Sequence, residues 1–321
     1  MHLEPHYTWQ IKDSSKIQEF ETCRRKYFYA YVLGWRPGFP NNHLIFGSSV
    51  HAGMEVMLKE GYSKYDLAYE AFLEEYRKEF PPQLDPMFYP KTPQRAKEMF
   101  KYYSERYQDD LDQFKVLYTE VSGVVPISKS DVLFYRLDSV LEGELGIFSL
   151  DHKTGSMFGE RWADQWALDL QMGLYAWALN CMFTDRPVVG ITVNGIFLGR
   201  KVKNPKPFNP EGAFHRIPLS ITGDFLQDRV NTIKYYFDEI DHEHEILLEE
   251  DTEDAPIMIS FPKNNKACGH YNQRCAYFDF CTAWPNPLRN YDECPSEFNV
   301  DFWDPTAEDT TTTWDLTKEV A

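Results

Sequence analysis

The stretch from residue 115 to 153 constrains this chain most. Three runs rich in Val, Leu, Ile, Phe and Tyr, at 115–125, 131–141 and 146–153, are separated by short segments containing Gly and Ser. Such runs read as strands, and Gly143-Glu-Leu-Gly146 is short enough to fold the last two into a hairpin. Each of these two carries an acid among apolar residues: Asp138 in Tyr135-Arg-Leu-Asp138-Ser-Val, and Asp151 in Phe148-Ser-Leu-Asp151-His-Lys153-Thr-Gly155. If the turn is symmetric about positions 144 and 145, facing residues have numbers that add to 289, as 138 and 151 do. Side chains two apart on a strand share a face, so Lys153 joins both carboxylates.

Two carboxylates about 5 Å apart repel by roughly 3 kcal/mol at an effective dielectric of about 20, and opposed like charges destabilise a sheet. A divalent cation between them removes the conflict, and hard oxygen ligands suit Mg²⁺ or Mn²⁺. The cation lowers the pKa of a bound water, while Lys153 can hold that water or stabilise charge on phosphorus. These are the parts of phosphodiester hydrolysis. Exposed charges flanking a surface turn give the same local pattern, so its surroundings decide.

Ile17, Phe20, Tyr27, Phe28 and Tyr31 fall at helical spacing behind Ser14 or Ser15, and Gly34 and Pro37 end the run. Further helices are predicted from near Ser48, over 65–80 and over 93–113. After the hairpin come a long helix over about 161–183, strands near 188–199 and 213–219, and a helix over roughly 222–248. The expected fold is α/β, a mixed central β-sheet flanked by helices. A helical N-terminal part (about 14–113) and a catalytic core (about 115–250) form one domain, 1–298, followed by a flexible acidic tail, 299–321.

Asp138, then Asp151-His-Lys153-Thr-Gly, then Gln171-Met-Gly-Leu-Tyr175 resemble the PD-(D/E)XK nucleases of the RecB type, which have a restriction-endonuclease-like core. Those enzymes carry a metal-binding His on an early helix, and the matching segment is Gly47-Ser-Ser-Val-His51-Ala-Gly-Met-Glu55. The resemblance runs from about 15 to 285, with the four elements in family order. It implies that His51, Asp138, Asp151 and the backbone carbonyl of His152 bind Mg²⁺ or Mn²⁺, with Lys153 as the catalytic lysine. Gln171 and Tyr175, one helical turn apart, would brace the site or touch DNA. Glu120 matches an acidic position on the preceding strand. Without the resemblance, His51 reads as an ordinary helix histidine with Glu55 as its hydrogen-bond partner.

The implied activity is a DNA exonuclease acting on single strands or duplex ends, in recombination, repair or phage DNA processing, with a recombination or annealing protein as a candidate partner. Rivals are a structure-specific endonuclease, a CRISPR spacer-trimming nuclease, and a non-catalytic DNA-binding scaffold. No stretch approaches the roughly 18 apolar residues needed to span a bilayer, and the N-terminus lacks a signal-peptide layout. A cytoplasmic protein without membrane contact is expected.

In such a compartment cysteines are better read as metal ligands or core residues than as disulfides. Cys268-x6-Cys275-x5-Cys281 needs a fourth ligand, and both Cys294 and Cys23 are available. Similarity to AddB and the CRISPR-associated exonucleases favours Cys23 and a structural 4Fe–4S cluster, with zinc as the alternative. Cys181, in an apolar run, reads as a core thiol.

The net charge of −17 looks hostile to DNA. However, residues 238–254 and 300–321 together hold sixteen acids against one Lys, which accounts for 15 of those charges. Both acidic runs, with His242 and His244 inside the first, are expected to be solvated surface.

Overall fold

Local signals set most element boundaries. Helix α1 (Ser14–Thr22) is capped by Asp13, whose side chain accepts from Lys16 N–H. Cys23 then adopts an extended conformation (φ −165°, ψ 113°), so the N-terminal helix is interrupted rather than continuous. It resumes as α2 (Arg24–Tyr27) and widens into a π turn at Phe28–Val32, before strand β1 (Trp35–Pro37). Helix α3 (Asn42–Glu60) starts earlier than Ser48 because the Asn41 side chain caps it at His43 N–H. Helices α4 (Tyr65–Glu79), α5 (Pro93–Arg106) and α6 (Asp110–Gln113) follow. The next strands are β2 (Phe114–Pro126), β3 (Val132–Gly143) and β4 (Gly146–Gly155).

The long helix expected over 161–183 is two helices, α7 (Glu160–Asp164) and α8 (Leu170–Met182). The break falls at Asp169, whose carboxylate accepts from Met172 N–H at 3.1 Å and caps α8. Strands β5 (Val188–Phe197) and β6 (Phe214–Leu219) and helix α9 (Asp224–Glu249) come next. The chain ends with β7 (Gly269–His270), β8 (Gln273–Arg274), α10 (Phe278–Ala283), β9 (Phe298–Val300) and β10 (Thr312–Asp315). The structure, a computed structural model, describes residues 3–204, 206–270, 273–307 and 312–315. Among these, no helix is long and apolar enough to cross a membrane.

The fold is mixed α/β. Six strands pair in the order β10-β2-β3-β4-β5-β6, with β3–β4 antiparallel, β4–β5 parallel and β5–β6 antiparallel. The hairpin register is Leu141↔Phe148, Glu142↔Ile147 and Gly143↔Gly146, each pair adding to 289 as the symmetric turn requires.

Where one domain was expected over 1–298, the chain forms two compact units. The first comprises residues 1–39, 124–134 and 228–309, and the second 40–123, 135–227 and 310–321. The core of the first is aromatic: Tyr27, Phe28, Tyr29, Trp35, Phe261 and Tyr277 are all buried. Helix α9 belongs largely to this unit, and it overturns the reading of 238–254 as solvated throughout. Glu243 and Asp251 are buried. The Glu243 carboxylate accepts from Phe261 N–H and Arg24, and Asp251 accepts from the N–H groups of Ile259 and Ser260. His244 is also buried, edge-on to Trp9 at 4.8 Å and Phe261 at 5.5 Å. A helix of this length must turn one face inward, and net charge does not say which acids lie on it.

The described part of the expected tail, 299–321, is held at several points. Strand β9 pairs with β1. Phe302 stacks on His6 at 3.8 Å, and Trp303 Nε1 donates to Asp13 Oδ2 at 2.8 Å. Strand β10 is an edge of the main sheet, with Trp314 edge-on to Tyr118 at 5.6 Å. Residues 308–311 and 316–321 lie outside the described residues.

In the second unit, helices α3, α4 and α5 bury Phe46, Met54, Phe72, Phe100 and Tyr103 against Ile196 of β5 and Phe214 of β6. That packing sets α3 beside the strand that carries Asp151 and Lys153.

Candidate active site

Asp138 and Asp151 lie buried on adjacent strands of the second unit. Beyond the Leu141↔Phe148 pair the link between the strands passes through side chains: Ser139 Oγ donates to the Leu150 carbonyl and accepts from the Leu150 N–H, both at 3.1 Å. Asp138 Oδ2 accepts the His152 N–H at 2.8 Å.

His51 comes from α3. Its Nδ1 is 3.2 Å from Asp138 Oδ1, and its Nε2 is 2.8 Å from the carbonyl oxygen of His152. Both partners can only accept, so both ring nitrogens carry protons. Burial opposes that charge, but the Asp138 carboxylate outweighs it and raises the His51 pKa to about 9. Burial would likewise lift Asp138, yet His51 holds it well below the usual carboxylate range. Glu55 is not the ring's partner; it takes hydrogen bonds from Thr119 at 3.0 Å and Lys59 at 2.5 Å.

Glu120 closes the group. It has φ +47° within β2, a left-handed conformation costing a non-glycine residue about 1–2 kcal/mol. Strain of this kind concentrates at functional sites. Ligand atoms of His51, Glu120 and Asp138 lie within 4.8 Å of one another. Arg136 bonds Glu120 at 2.9 Å, while burial and the nearby Asp138 charge raise the Glu120 pKa. The sequence offered Glu120 only as a supporting residue; the kink that sets its carboxylate is not written in residue type.

Asp151 sits beside this triad with Lys153. Lys153 Nζ lies 3.1 Å from Asp151 Oδ1 and 3.0 Å from Oδ2, and donates to Gln171 Oε1 at 2.7 Å. Burial raises the Asp151 pKa against the pull of Lys153. Burial would lower the Lys153 pKa, but Asp151 and Asp138 raise it. Asp151 Oδ2 is buried and faces Lys153 Nζ as an ion pair without a well-formed hydrogen bond. Gln171, near the start of α8, therefore braces the lysine, while Tyr175 is buried one turn further along.

The His51 imidazole, the Glu120 and Asp138 carboxylates and the neighbouring His152 carbonyl are a donor set suited to a hard divalent cation, with Asp151 beside rather than within the converging group. The imidazolium of His51, bridging Asp138 and the His152 carbonyl, shows that this spot favours positive charge. These residues fit a divalent cation.

A family model described as PD-(D/E)XK nuclease superfamily matches residues 14–282. The chain belongs to that superfamily. No curated protein matches it. Nuclease, hydrolase and metal-binding chemistry come with membership, and the mixed sheet agrees with the restriction-endonuclease-like core expected of PD-(D/E)XK proteins.

Two residues near this PD-(D/E)XK site were not anticipated. Asn194 on β5 bonds the His152 ring at 2.8 Å in a fully buried pair, and burial lowers the His152 pKa to about 3. Lys91 donates to Thr154 at 3.2 Å, its pKa lowered to about 8 by burial. Both contacts join residues far apart in sequence, and neither residue stands in a recognisable motif.

Five of the six cysteines, all but Cys181, lie in the first unit. Cys275 N–H donates to the Cys268 carbonyl at 3.0 Å. Asn264 joins the same loop to the residue before Cys23, donating to the Thr22 carbonyl at 2.8 Å. Burial raises the thiol pKa values of Cys275 and Cys281, the latter to about 11, and Cys23 is close enough to both to raise them further. Burial raises the Cys294 thiol pKa as well, with Glu297 as its charged neighbour. Cys181 is half-buried rather than a fully enclosed core thiol.

Proposed function

We propose that this protein is a divalent-cation-dependent deoxyribonuclease that degrades DNA from an end, in recombination, repair or phage DNA processing. One observation carries the reading: His51, Glu120 and Asp138 converge within 4.8 Å beside the Asp151–Lys153–Gln171 chain. His51, Asp138, Asp151 and the His152 carbonyl would hold Mg²⁺ or Mn²⁺, with Glu120 adjoining. The bound cation supplies a water of lowered pKa and neutralises phosphate oxygens. Lys153, held by Asp151 and Gln171, orients the attacking water or meets the charge that develops on the phosphoryl oxygens. Because Gln171 positions Lys153 from a separate helix, the lysine needs little reorganisation during the reaction.

The test uses end-labelled single strands and duplexes with Mg²⁺ or Mn²⁺. Nucleotides released progressively from one end support an exonuclease, whereas internal cuts at a junction support the endonuclease alternative. Lys153→Ala should remain folded and lose cleavage. Cleavage at the wild-type rate by that variant would overturn the assignment, and a wild-type protein that binds DNA without cutting it would favour the scaffold reading.

We further propose that Cys23, Cys268, Cys275 and Cys281 hold a structural 4Fe–4S cluster. Support comes from the proximity of Cys23 to Cys275 and Cys281 and from the family subgroup it resembles. Protein purified without oxygen should be brown, with about four irons per chain. Cys23→Ala should be colourless while Cys294→Ala stays brown; one zinc without iron would replace the cluster but keep the ligands.

A further inference from the structure

The row of the sheet that contains Lys153 continues through Gly195 of β5 to His215 of β6, its register partners. Gly195 leaves room on that face. A Cβ there would lie 2.5 Å from Trp162 Cη2, so any side chain would displace the indole. A connected series of rings starts at the lysine. Lys153 Nζ is 5.8 Å from the Trp166 ring centre, Trp166 is 5.4 Å from Trp162, and Trp162 is 6.3 Å from Phe158. Phe158 stacks on His215 at 3.7 Å with the planes 6° apart.

These rings are not core. Helix α7 and the 3-10 turn Gln165–Leu168 bury none of their residues. Met157 and Leu168 beside them are exposed at 56% and 72%. Trp166, Trp162 and Phe158 are half-buried, and Trp166 Nε1 is buried without a hydrogen-bond partner among the described residues. The adjoining loop supplies charge: residues 197–208 hold Arg200, Lys201, Lys203 and Lys206 and no acid, in a chain of net charge −17. All four cations are exposed. The loop leaves the sheet beside the aromatic face, where Leu198 N–H bonds the Gly155 carbonyl and Gly199 N–H the Ser156 carbonyl, each at 3.0 Å.

We propose that Trp166, Trp162 and Phe158 form a stacking shelf for unpaired bases of the DNA strand entering the site, with Arg200, Lys201 and Lys203 holding its phosphates. Aromatic faces that stack bases beside a basic groove are how proteins grip single strands irrespective of sequence. Paired bases in a duplex keep their faces covered, so the shelf engages a single strand or a frayed end. Phosphate contacts alone would treat both forms alike. This inference rests on the nuclease reading for the nature of its ligand, and its test does not require cleavage.

The full-length protein is titrated in EDTA with a short single strand carrying 2-aminopurine and with a blunt duplex of the same length. The shelf predicts quenching of both tryptophan and 2-aminopurine fluorescence by the single strand. Trp162→Ala should weaken single-strand binding by about tenfold or more and leave duplex binding within about twofold, while Trp162→Phe retains most of the affinity. Lys201→Gln/Lys203→Gln should weaken both and flatten the salt dependence. If Trp162→Ala is unstable, Gly195→Ala gives a second way to displace the ring and should show the same selective loss. Equal losses for single strand and duplex, or unchanged single-strand affinity in folded Trp162→Ala, would overturn the shelf. Should wild-type protein cut no DNA with Mg²⁺ or Mn²⁺ yet show the quenching, the nuclease reading fails and the shelf stands.

Discussion

At neutral pH, binding of a divalent cation should expel a proton from His51. In the metal-free protein both ring nitrogens face acceptors, Asp138 and the His152 carbonyl, and the pKa is raised to about 9. A ligating imidazole must offer a lone pair, so cation and proton compete for it. At pH 7 the proton is favoured by about two pH units, which weakens cation binding roughly 100-fold. The apparent affinity for Mn²⁺ should therefore rise about tenfold per pH unit from pH 7 and level off above about 9. Calorimetric titration in two buffers of different ionisation enthalpy reads the proton release directly. About one proton per cation is expected, and His51→Gln should abolish both the release and the slope. An affinity that stays flat over this range in wild-type protein would refute His51 as a ligand. The same group sets metal-free stability. Its folded pKa lies above the ordinary 6.5, so its contribution is fully present below pH 6.5 and is lost as pH rises through about 9. A rise from 6.5 to about 9 makes that contribution roughly 3 to 4 kcal/mol. With 28% of the His51 side chain exposed, solvent screening reduces it only modestly. Melting temperature in EDTA should fall between pH 6.5 and 9, and the fall should reverse with saturating Mn²⁺.

His244 works in the opposite direction: burial lowers its pKa from 6.5 to about 3, so its stability contribution is present above pH 6.5 and lost as pH falls toward 3. His244→Phe should reduce the acid-side slope of unfolding free energy by about one proton, or roughly 1.4 kcal/mol per pH unit; an unchanged slope would place the titration elsewhere. Trp303→Phe leaves buried Asp13 without one of its donors and should cost about 1–3 kcal/mol in urea unfolding; an unchanged midpoint would mean that the segment after Val300 is dispensable. Asp169→Ala removes the cap of α8 and should cost about 1 kcal/mol, seen as a lower melting temperature with the fold retained.

The sequence alone determined what depends on near neighbours. The register of the hairpin follows from Gly143 and Gly146, because a short symmetric turn leaves the strands one way to pair. The common face of Asp151 and Lys153 follows from the two-residue repeat of a strand. Even the break at Asp169 was legible, since an Asp three residues before a backbone N–H that it can cap is a helix-start signal; the apolar run across it masked the signal. What only tertiary structure decided are contacts whose free energy exists after distant elements have packed. His51 meets Asp138 because α3 lies against β4, and the same carboxylate then controls the proton on its ring. Glu120 completes the cluster through a left-handed residue within a strand, a strain that only the surrounding fold can hold in place. His244 and Trp303 looked like solvent-facing residues of acidic segments, and they are held where an aromatic core and a buried carboxylate receive them. Charge and periodicity describe each segment by itself. Burial is a property of what that segment comes to rest against.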